Sequence, residues 1–143
     1  MNRIIKRGQI YYARLNKGCG SEQYGIRPVL IIQNNKGNQY SPTTIVASIT
    51  SRIETKKHLP THVYLPKIAG LKYKSVIMME QIHVIDKSRL IHRIGQLSPE
   101  MMRIVDCKLI KSCGLTVHHK YVKGESYRKK WKENKYHYGN DHI

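Results

Sequence analysis

Arg27 is the residue of this chain whose type and position best suit the chemistry of a phosphate group. It follows a polar, glycine-bounded stretch at residues 20–25 and precedes a short apolar run at residues 28–32. Because Pro28 disfavours the helical region for the residue before it, we expect Arg27 to be extended, with its side chain at the mouth of a strand. A rigid guanidinium in that position suits phosphate binding, and a surface ion pair with Glu22 is the alternative.

Other polar side chains that could act on a phosphodiester stand at strand ends and in the middle of an apolar run. Thr50 and Ser51 end a β-branched run with two hydroxyl groups, and Glu80 and Gln81 follow four apolar residues, which indicates that they face a groove. Four histidines could also accept a proton. They are His58, His62, His83 and His92. For each of these residues a purely structural role is the alternative.

The chain lacks the patterns of the common metal and nucleotide sites. It contains no P-loop, dinucleotide fingerprint, HExxH or GxSxG pattern, and its nine carboxylates are scattered. The sequence therefore predicts no metal and no cofactor. RNA supplies its own nucleophile, the 2′-hydroxyl group, so a metal-free site built from arginine and hydroxyl groups favours RNA over DNA as the substrate.

Basic residues dominate the composition: 26 Lys and Arg against 9 Asp and Glu give a formal net charge of +17. Such a surface attracts polyanions, so nucleic acid, an acidic protein or an anionic membrane surface are the candidate partners. The three cysteines form no CxxC pair, which favours reduced thiols over disulfides or a zinc site. No apolar run is long enough to span a membrane and the first residues lack a signal-peptide pattern, so we expect a cytoplasmic protein.

Segments rich in β-formers, several of them alternating, predict six strands. The expected strands are Gln9–Leu15, 28–33, Thr43–Thr50, 61–65, Ser75–Asp86 and 90–97. We expect the second strand to be buried on both faces, the fourth to lie at an edge because prolines bracket it, and the fifth to be bulged near Glu80. Residues 34–38 are rich in turn formers and predict a turn.

A C-terminal helix follows the strands. Ser98 offers an N-cap hydroxyl before Pro99, apolar residues then recur at helical spacing, and Gly114 suits the C-terminal end. These elements predict a mainly β domain over residues 1–115, built as a small, strongly bent sheet or barrel with the helix packed at its end. Residues 116–143 are polar, basic and aromatic, and we expect an extension that is partly ordered at most and binds RNA or is simply solvated.

Seven motifs, in linked order and spacing, resemble the MazF/PemK toxins, which are the endoribonuclease halves of bacterial toxin–antitoxin pairs. The motifs are RGQIYYA at residues 7–13, GSEQ at 20–23, GIRPVLIIQN at 25–34, SPT at 41–43, ITS at 49–51, LPTHV at 59–63 and EQI at 80–82. The resemblance spans about residues 6–115. It implies an SH3-like barrel with a C-terminal helix, of the MazF/PemK/CcdB type, that forms a homodimer.

The resemblance also implies an activity and a partner. The expected protein is a toxin that cleaves single-stranded RNA, including mRNA, at a short sequence and without a metal. Cleavage would leave 2′,3′-cyclic phosphate and 5′-hydroxyl ends and inhibit translation, and a cognate acidic antitoxin would neutralise the toxin. The alternatives are a non-catalytic RNA-binding or regulatory barrel and a gyrase poison, since the CcdB toxins share the fold.

Individual residues take roles from the same resemblance. Arg27 and Thr50 correspond to the catalytic pair of the family. The residues expected to line the RNA groove are Ser21, Glu22, Gln23, Ser51, Glu80 and Gln81. The general base stays open, because the pKa of an arginine exceeds about 12 and a protonated guanidinium accepts no proton.

Overall fold

The computed structural model describes residues 3–53, 58–68 and 70–116. Within these ranges the strands are β1 (Gln9–Leu15), β2 (Gly25–Ile31), β3 (Thr43–Thr50), β4 (His62–Leu65), β5 (Ser75–Asp86) and β6 (Leu90–Gln96). The helices are α1 (Asn35–Tyr40) and α2 (Pro99–Cys113), and a 3₁₀ turn at Lys87–Arg89 joins β5 to β6. The expected C-terminal extension lies outside the described residues, apart from its first residue, Thr116. No helix within the described ranges is long and apolar enough to cross a membrane.

The six strands form one antiparallel sheet with the order β4-β5-β3-β2-β1-β6. The predicted mainly β fold with a C-terminal helix is confirmed, as is the edge position of the fourth strand. The expected closure into a barrel is not seen, because the edge strands β4 and β6 do not pair with each other within the described residues. The domain is therefore built on an open sheet.

Both faces of the sheet are packed, because alternate residues of the central strands belong to two different cores. On one face Leu30 and Ala47 pack with Val105 of α2, and the helix lies against β4 and β5. On the other face Val29 and Val46 belong to a second core. Strands buried on both faces read as continuous apolar runs, so the predicted burial of the second strand on both faces is confirmed.

The turn predicted at residues 34–38 is wrong, because Asn35–Tyr40 form the short helix α1. The Asn34 side chain caps this helix by accepting a hydrogen bond from the Gly37 N–H at 2.8 Å. Asn38 is buried; its amide donates to the Gln33 carbonyl at 2.9 Å, and its Oδ1 accepts from the Thr44 hydroxyl at 2.8 Å. Asparagine favours helix caps as well as turns, so the composition alone did not separate the two outcomes.

The bulge predicted near Glu80 is confirmed. Ala47 lies opposite Ile82 and Ser48 lies opposite Met78, so one step along β3 corresponds to four steps along β5. The residues between, 79–81, interrupt the normal alternation of side chains. As a result Glu80 is exposed in the middle of a strand whose preceding residues are buried.

The helix α2 begins and ends as predicted. The Met101 N–H donates to the Ser98 hydroxyl at 3.2 Å, and Gly114 has a φ of +61°, the left-handed conformation that glycine favours after a helix. Arg7 joins the helix to the sheet: one Nη donates to Asp106 at 2.5 Å, while its Nε donates to the Ile32 carbonyl at 2.8 Å.

Candidate functional site

Arg27 and Thr50 come together because β2 and β3 are neighbouring antiparallel strands. The paired register of β2 and β3 ends with Val29 opposite Ser48, and Arg27 and Thr50 each lie two residues beyond that pair. Side chains alternate along a strand, so Arg27 and Thr50 lie on the same face as Val29 and Ser48. The Arg27 guanidinium and the Thr50 hydroxyl group therefore belong to the same face and the same end of the sheet.

The loop before β2 holds the Arg27 guanidinium. Its Nε donates to the Tyr24 carbonyl at 3.1 Å, and one Nη donates to the Gln23 side chain. The alternative ion pair with Glu22 is not formed in the described part of the chain, where the Glu22 carboxylate instead accepts from the Cys19 N–H at 2.8 Å. Because arginine has five N–H donors, the two bonds orient the guanidinium without exhausting its donors.

The electrostatic surroundings of Arg27 are unusual for a strand residue. Partial burial, and then the neighbouring Arg52 cation, lower the pKa of the Arg27 guanidinium from its ordinary value. An arginine still stays charged at neutral pH. A cation that is partly removed from water and repelled by a second cation gains more from binding a phosphate than a fully solvated one does.

Thr50 ends β3 with its side chain mostly buried, at 8% exposure. Its hydroxyl oxygen accepts a hydrogen bond from the Arg52 N–H at 3.2 Å. A hydroxyl group that accepts one hydrogen bond still carries its own proton to donate. Thr50 is therefore fixed by the turn after β3 and remains a donor, while Ser51 is exposed in that turn.

The loop between β1 and β2 (residues 16–24) lies against the bulge of β5. The Gln81 side chain donates to the Ser21 carbonyl at 3.5 Å, the outer limit of a hydrogen bond. Glu22 and Gln23 line a cavity of about 370 Å³ together with His83. The structure thus brings four of the expected groove residues to one side of Arg27: Ser21, Glu22, Gln23 and Gln81.

Glu80 belongs to a second polar cluster, on β4. One of its carboxylate oxygens lies 2.9 Å from His62 Nε2, and the other accepts from the Thr61 hydroxyl at 2.7 Å. The His62 Nδ1 accepts from the Leu59 N–H at 3.4 Å, so Nε2 carries the proton and donates to Glu80. His62 lies opposite Met78, which lies opposite Ser48. This cluster is therefore two strands away from the end of β3.

His83 joins the site, although its sequence pattern did not distinguish it from the other three histidines. Burial lowers the pKa of His83, the Glu22 carboxylate raises it and the Arg27 cation lowers it. Both charged groups are thus close enough to act on the imidazole. Its Nε2 is buried and makes no hydrogen bond to any residue that the structure describes.

The other two histidines lie elsewhere. His58 contacts Tyr64 at the β4 edge, and His92 packs against Tyr12 on the opposite side of the sheet, with ring centroids 5.1 Å apart. The signal that would have singled out His83 is the register of β5 after its bulge. That register follows from pairing with β3 and not from the local sequence.

Cysteines and acidic residues do not gather into a further site. In residues 3–53, 58–68 and 70–116, no group of three or more His, Cys, Asp or Glu side chains is placed to hold a metal ion. The three cysteines are free and exposed. The chemistry that the described residues support is therefore that of cations, hydroxyl groups and a few separate carboxylates and imidazoles.

Comparison with known proteins identifies relatives in sequence and in fold. A family described as PemK-like, MazF-like toxins of type II toxin–antitoxin systems matches residues 6–113. Endoribonuclease EndoA of Bacillus subtilis (strain 168) is 54% identical over 104 residues, which are 72% of this chain and 89% of that protein. The family match covers the whole sheet and α2.

Solved structures share the fold. MazF from Deinococcus radiodurans matches with a TM-score of 0.69 and 23% identity, covering 80% of this chain and all of that one. A mycobacterial endoribonuclease in complex with its cognate antitoxin matches with a TM-score of 0.66 and 24% identity, covering 80% and 99%. Since the family match extends over most of the chain, the protein belongs to the PemK-like, MazF-like toxins of type II toxin–antitoxin systems.

Proposed function

We propose that this protein is the toxin of a type II toxin–antitoxin pair and cleaves single-stranded RNA, including mRNA, as a metal-independent endoribonuclease. The proposal is supported by the register of β2 and β3, which leaves Arg27 and Thr50 on the same face, each two residues beyond the last pair. Support also comes from 54% identity to a protein named as an endoribonuclease. We assign the activity to residues 1–115 and treat residues 116–143 as an extension of that domain.

The reaction is an attack by the substrate's own 2′-oxygen on the adjacent phosphorus. The 2′-hydroxyl group loses its proton, the bond from phosphorus to the 5′-oxygen breaks, and that oxygen takes up a proton. The products are a 2′,3′-cyclic phosphate and a 5′-hydroxyl end. Cleavage of mRNA in this way inhibits translation and growth.

Arg27 and Thr50 act on the phosphate in this mechanism. Negative charge grows on the non-bridging oxygens as the phosphorus becomes five-coordinate, and fixed donors aimed at that charge stabilise the transition state. The Arg27 guanidinium supplies charge-assisted hydrogen bonds, and the Thr50 hydroxyl supplies a neutral one. Ser21, Glu22, Gln23, Ser51, Glu80 and Gln81 line the groove that holds the RNA on either side.

Two groups can accept the 2′-proton: His83, beside Arg27, and Glu80, in the polar cluster on β4. Burial lowers the pKa of His83, so the imidazole is neutral and able to accept a proton at pH 7. Glu80 is the alternative, and its hydrogen bonds to Thr61 and His62 fix its orientation. Single-turnover rates of His83→Gln and Glu80→Gln separate the two, because the base shows the larger loss.

An acidic antitoxin is the partner that fits the charge of this chain. A net charge of +17 attracts a segment rich in carboxylates, and a mycobacterial relative has been solved with its cognate antitoxin. We further infer a homodimer, which would cover exposed apolar side chains such as Ile4 and Val84, and a cytoplasmic location, where mRNA and the antitoxin are both present.

The test uses the purified full chain, a long transcript and EDTA. We expect cleavage at a short recurring sequence, with 5′ ends that polynucleotide kinase labels directly and 3′ ends that cannot be joined to a 5′-phosphate end until the cyclic phosphate is opened and removed. Cleavage that starts only when Mg²⁺ is added, or products that carry 5′ phosphates, would show that the proposed mechanism is wrong.

A further inference from the structure

One cross-strand row of the sheet ends in an exposed aromatic side chain. Thr50 lies opposite Val76 on β5, and Val76 lies opposite Tyr64 on β4. Arg27 and Thr50 each lie two residues beyond the last β2–β3 pair, so Arg27 lies on the same face at the other end of the row from Tyr64. Neighbouring strands are about 4.8 Å apart, so the backbone of Tyr64 lies about 10 Å from that of Thr50.

Tyr64 projects from an edge strand whose other face is buried. Its neighbours Val63 and Leu65 are 2% and 3% exposed, whereas Tyr64 is 46% exposed. Two histidines hold the ring. The His58 ring lies alongside it, with centroids 5.4 Å apart and an angle of 30° between the planes, and the His62 ring meets it edge-on at 6.5 Å and 73°. The Tyr64 hydroxyl group also contacts His58 Nδ1.

We propose that Tyr64, supported by His58, is a stacking platform for one unpaired nucleobase of the RNA beside the bond that is cleaved. Aromatic rings bind single-stranded RNA by stacking on unpaired bases, and such contacts tolerate or select bases according to the shape around them. The position of this base relative to the cleaved bond rests on the proposed endoribonuclease function. The stacking itself does not rest on that function, because binding measurements test it without cleavage.

The spacing within the row fits an RNA strand that crosses the β-strands. Arg27 and Thr50 hold one phosphate at one end of the row, and Tyr64 lies about 10 Å further on. Stacked nucleotides of one duplex strand are 3.4 Å apart along the axis, so an unstacked strand covers this distance in about two nucleotides. The base that reaches Tyr64 therefore belongs to a nucleotide next to the cleaved bond or one beyond it.

The decisive measurement is a double-mutant cycle between Tyr64 and the base. A labelled RNA is made around the mapped cleavage site with a 2′-deoxy nucleotide that prevents cleavage, and each flanking base in turn is replaced by an abasic site. For the wild type we expect one abasic position to raise Kd about 5- to 150-fold, the range measured for base–aromatic stacking. For Tyr64→Leu we expect a Kd for the intact RNA that is raised, relative to the wild type, by the same factor. The abasic RNA should bind Tyr64→Leu with the same Kd as the intact RNA does.

Two variants serve as controls. Tyr64→Phe keeps the ring and should bind within about twofold of the wild type, so a loss here would assign the contact to the hydroxyl group and overturn the stacking proposal. Tyr40→Leu removes a tyrosine that is 73% exposed at the end of α1, before the start of β3 and away from Thr50, and should leave Kd unchanged. Thermal unfolding of Tyr64→Leu, Tyr64→Phe and Tyr40→Leu checks that each variant is folded.

The outcomes for stacking and for cleavage are separable. Affinity for a randomised pool of single-stranded RNA is measured in parallel, because it needs no cleavage site. If Tyr64→Leu matches the wild type in both binding assays, or if the abasic effect is equal in the two proteins, the stacking proposal is wrong even if the protein cleaves RNA. If Tyr64→Leu weakens binding to the randomised pool, Tyr64→Phe does not, and EDTA-treated protein cleaves nothing, stacking stands and the endoribonuclease proposal fails.

Discussion

Removing the Arg27 guanidinium should abolish most of the catalysis and leave the fold largely intact. Arg27 lies half-buried at the start of β2, and its hydrogen bonds go to the Tyr24 carbonyl and the Gln23 side chain in the preceding loop. A net loss of about 0.5–1.5 kcal/mol for each hydrogen bond predicts that Arg27→Ala lowers the free energy of unfolding by about 1–3 kcal/mol. A loss of this size leaves most of the protein folded. The fall in cleavage rate should therefore be much larger than unfolding alone would cause.

The size of the rate effect follows from what the two side chains offer the transition state. Loss of one fixed donor to a developing oxyanion lowers kcat by about 10²- to 10³-fold. We expect the upper end of that range for Arg27→Ala, because its hydrogen bonds are charge-assisted, and the lower end for Thr50→Val. Since the two residues are proposed to act on one phosphate, the double variant should lose less than the product of the single losses.

The assay is single-turnover cleavage of a short RNA by excess protein in EDTA, with urea unfolding of every variant. Thr50→Val also removes the acceptor of the Arg52 N–H, so its urea unfolding measures the loss of turn stability separately from the rate, and Thr50→Ser, which keeps the hydroxyl group, should retain both. Arg93→Ala is the matched arginine control: Arg93 is exposed on β6 and donates to Gln96 at 2.8 Å. Its rate should stay within about twofold of the wild type.

Three results would contradict this reasoning. Activity of Arg27→Ala within a few-fold of the wild type would remove the guanidinium from the mechanism. Losses that multiply without coupling in the double variant would mean that Arg27 and Thr50 do not act on one phosphate. An equal loss for Arg93→Ala would show that net charge, and not the position of Arg27, governs the rate.

Further predictions concern stability and the extension. Because burial lowers the pKa of His83 in the folded state, the unfolded chain binds the proton more readily; stability is therefore full above about pH 6.5 and falls as the pH decreases through that value, and His83→Gln should flatten the fall in urea titrations. Gly70 has a φ of +91°, and a Cβ there would lie 1.7 Å from the Ile94 carbonyl oxygen; Gly70→Ala should cost at least about 2 kcal/mol of unfolding free energy, clearly more than Gly20→Ala, whose Cβ meets open space. If residues 116–143 contribute to RNA binding, truncation after residue 115 should raise Kd for a non-cleavable RNA, whereas an equal Kd would show that the extension does not bind RNA.

The strands were predictable wherever a run of β-forming residues has a clear apolar pattern and turn-forming residues at both ends. Three of the predicted strands agree with the structure at both ends: Gln9–Leu15, Thr43–Thr50 and Ser75–Asp86. β2, by contrast, begins three residues earlier than predicted. Gly25 and its neighbours are strand residues because they pair with the end of β1, and this pairing between distant segments leaves no periodic signal in a glycine-bounded loop.

Some residues of the candidate site were also visible in the local sequence, whereas others depend on contacts between distant segments. The position of Arg27 before Pro28 and of Thr50 at a strand end is visible in the sequence, and family resemblance joined them into a pair. The proximity of His83 to Glu22 and Arg27 depends on how the loop of residues 16–24 folds back onto β5. No local pattern encodes that contact, so His83 could not be distinguished from the other histidines.

The bulge of β5 constrains how this chain can change in length. Between Met78 and Ile82 the interruption reverses which side of the strand each later residue occupies. With one residue deleted there, three steps would remain, and ordinary alternation would keep the downstream residues on their present sides: Ile85 in its core and Val84, now 69% exposed, outside it. Removal of two residues would leave an ordinary one-residue bulge, so this segment should tolerate changes in length that the paired halves of β5 on either side do not.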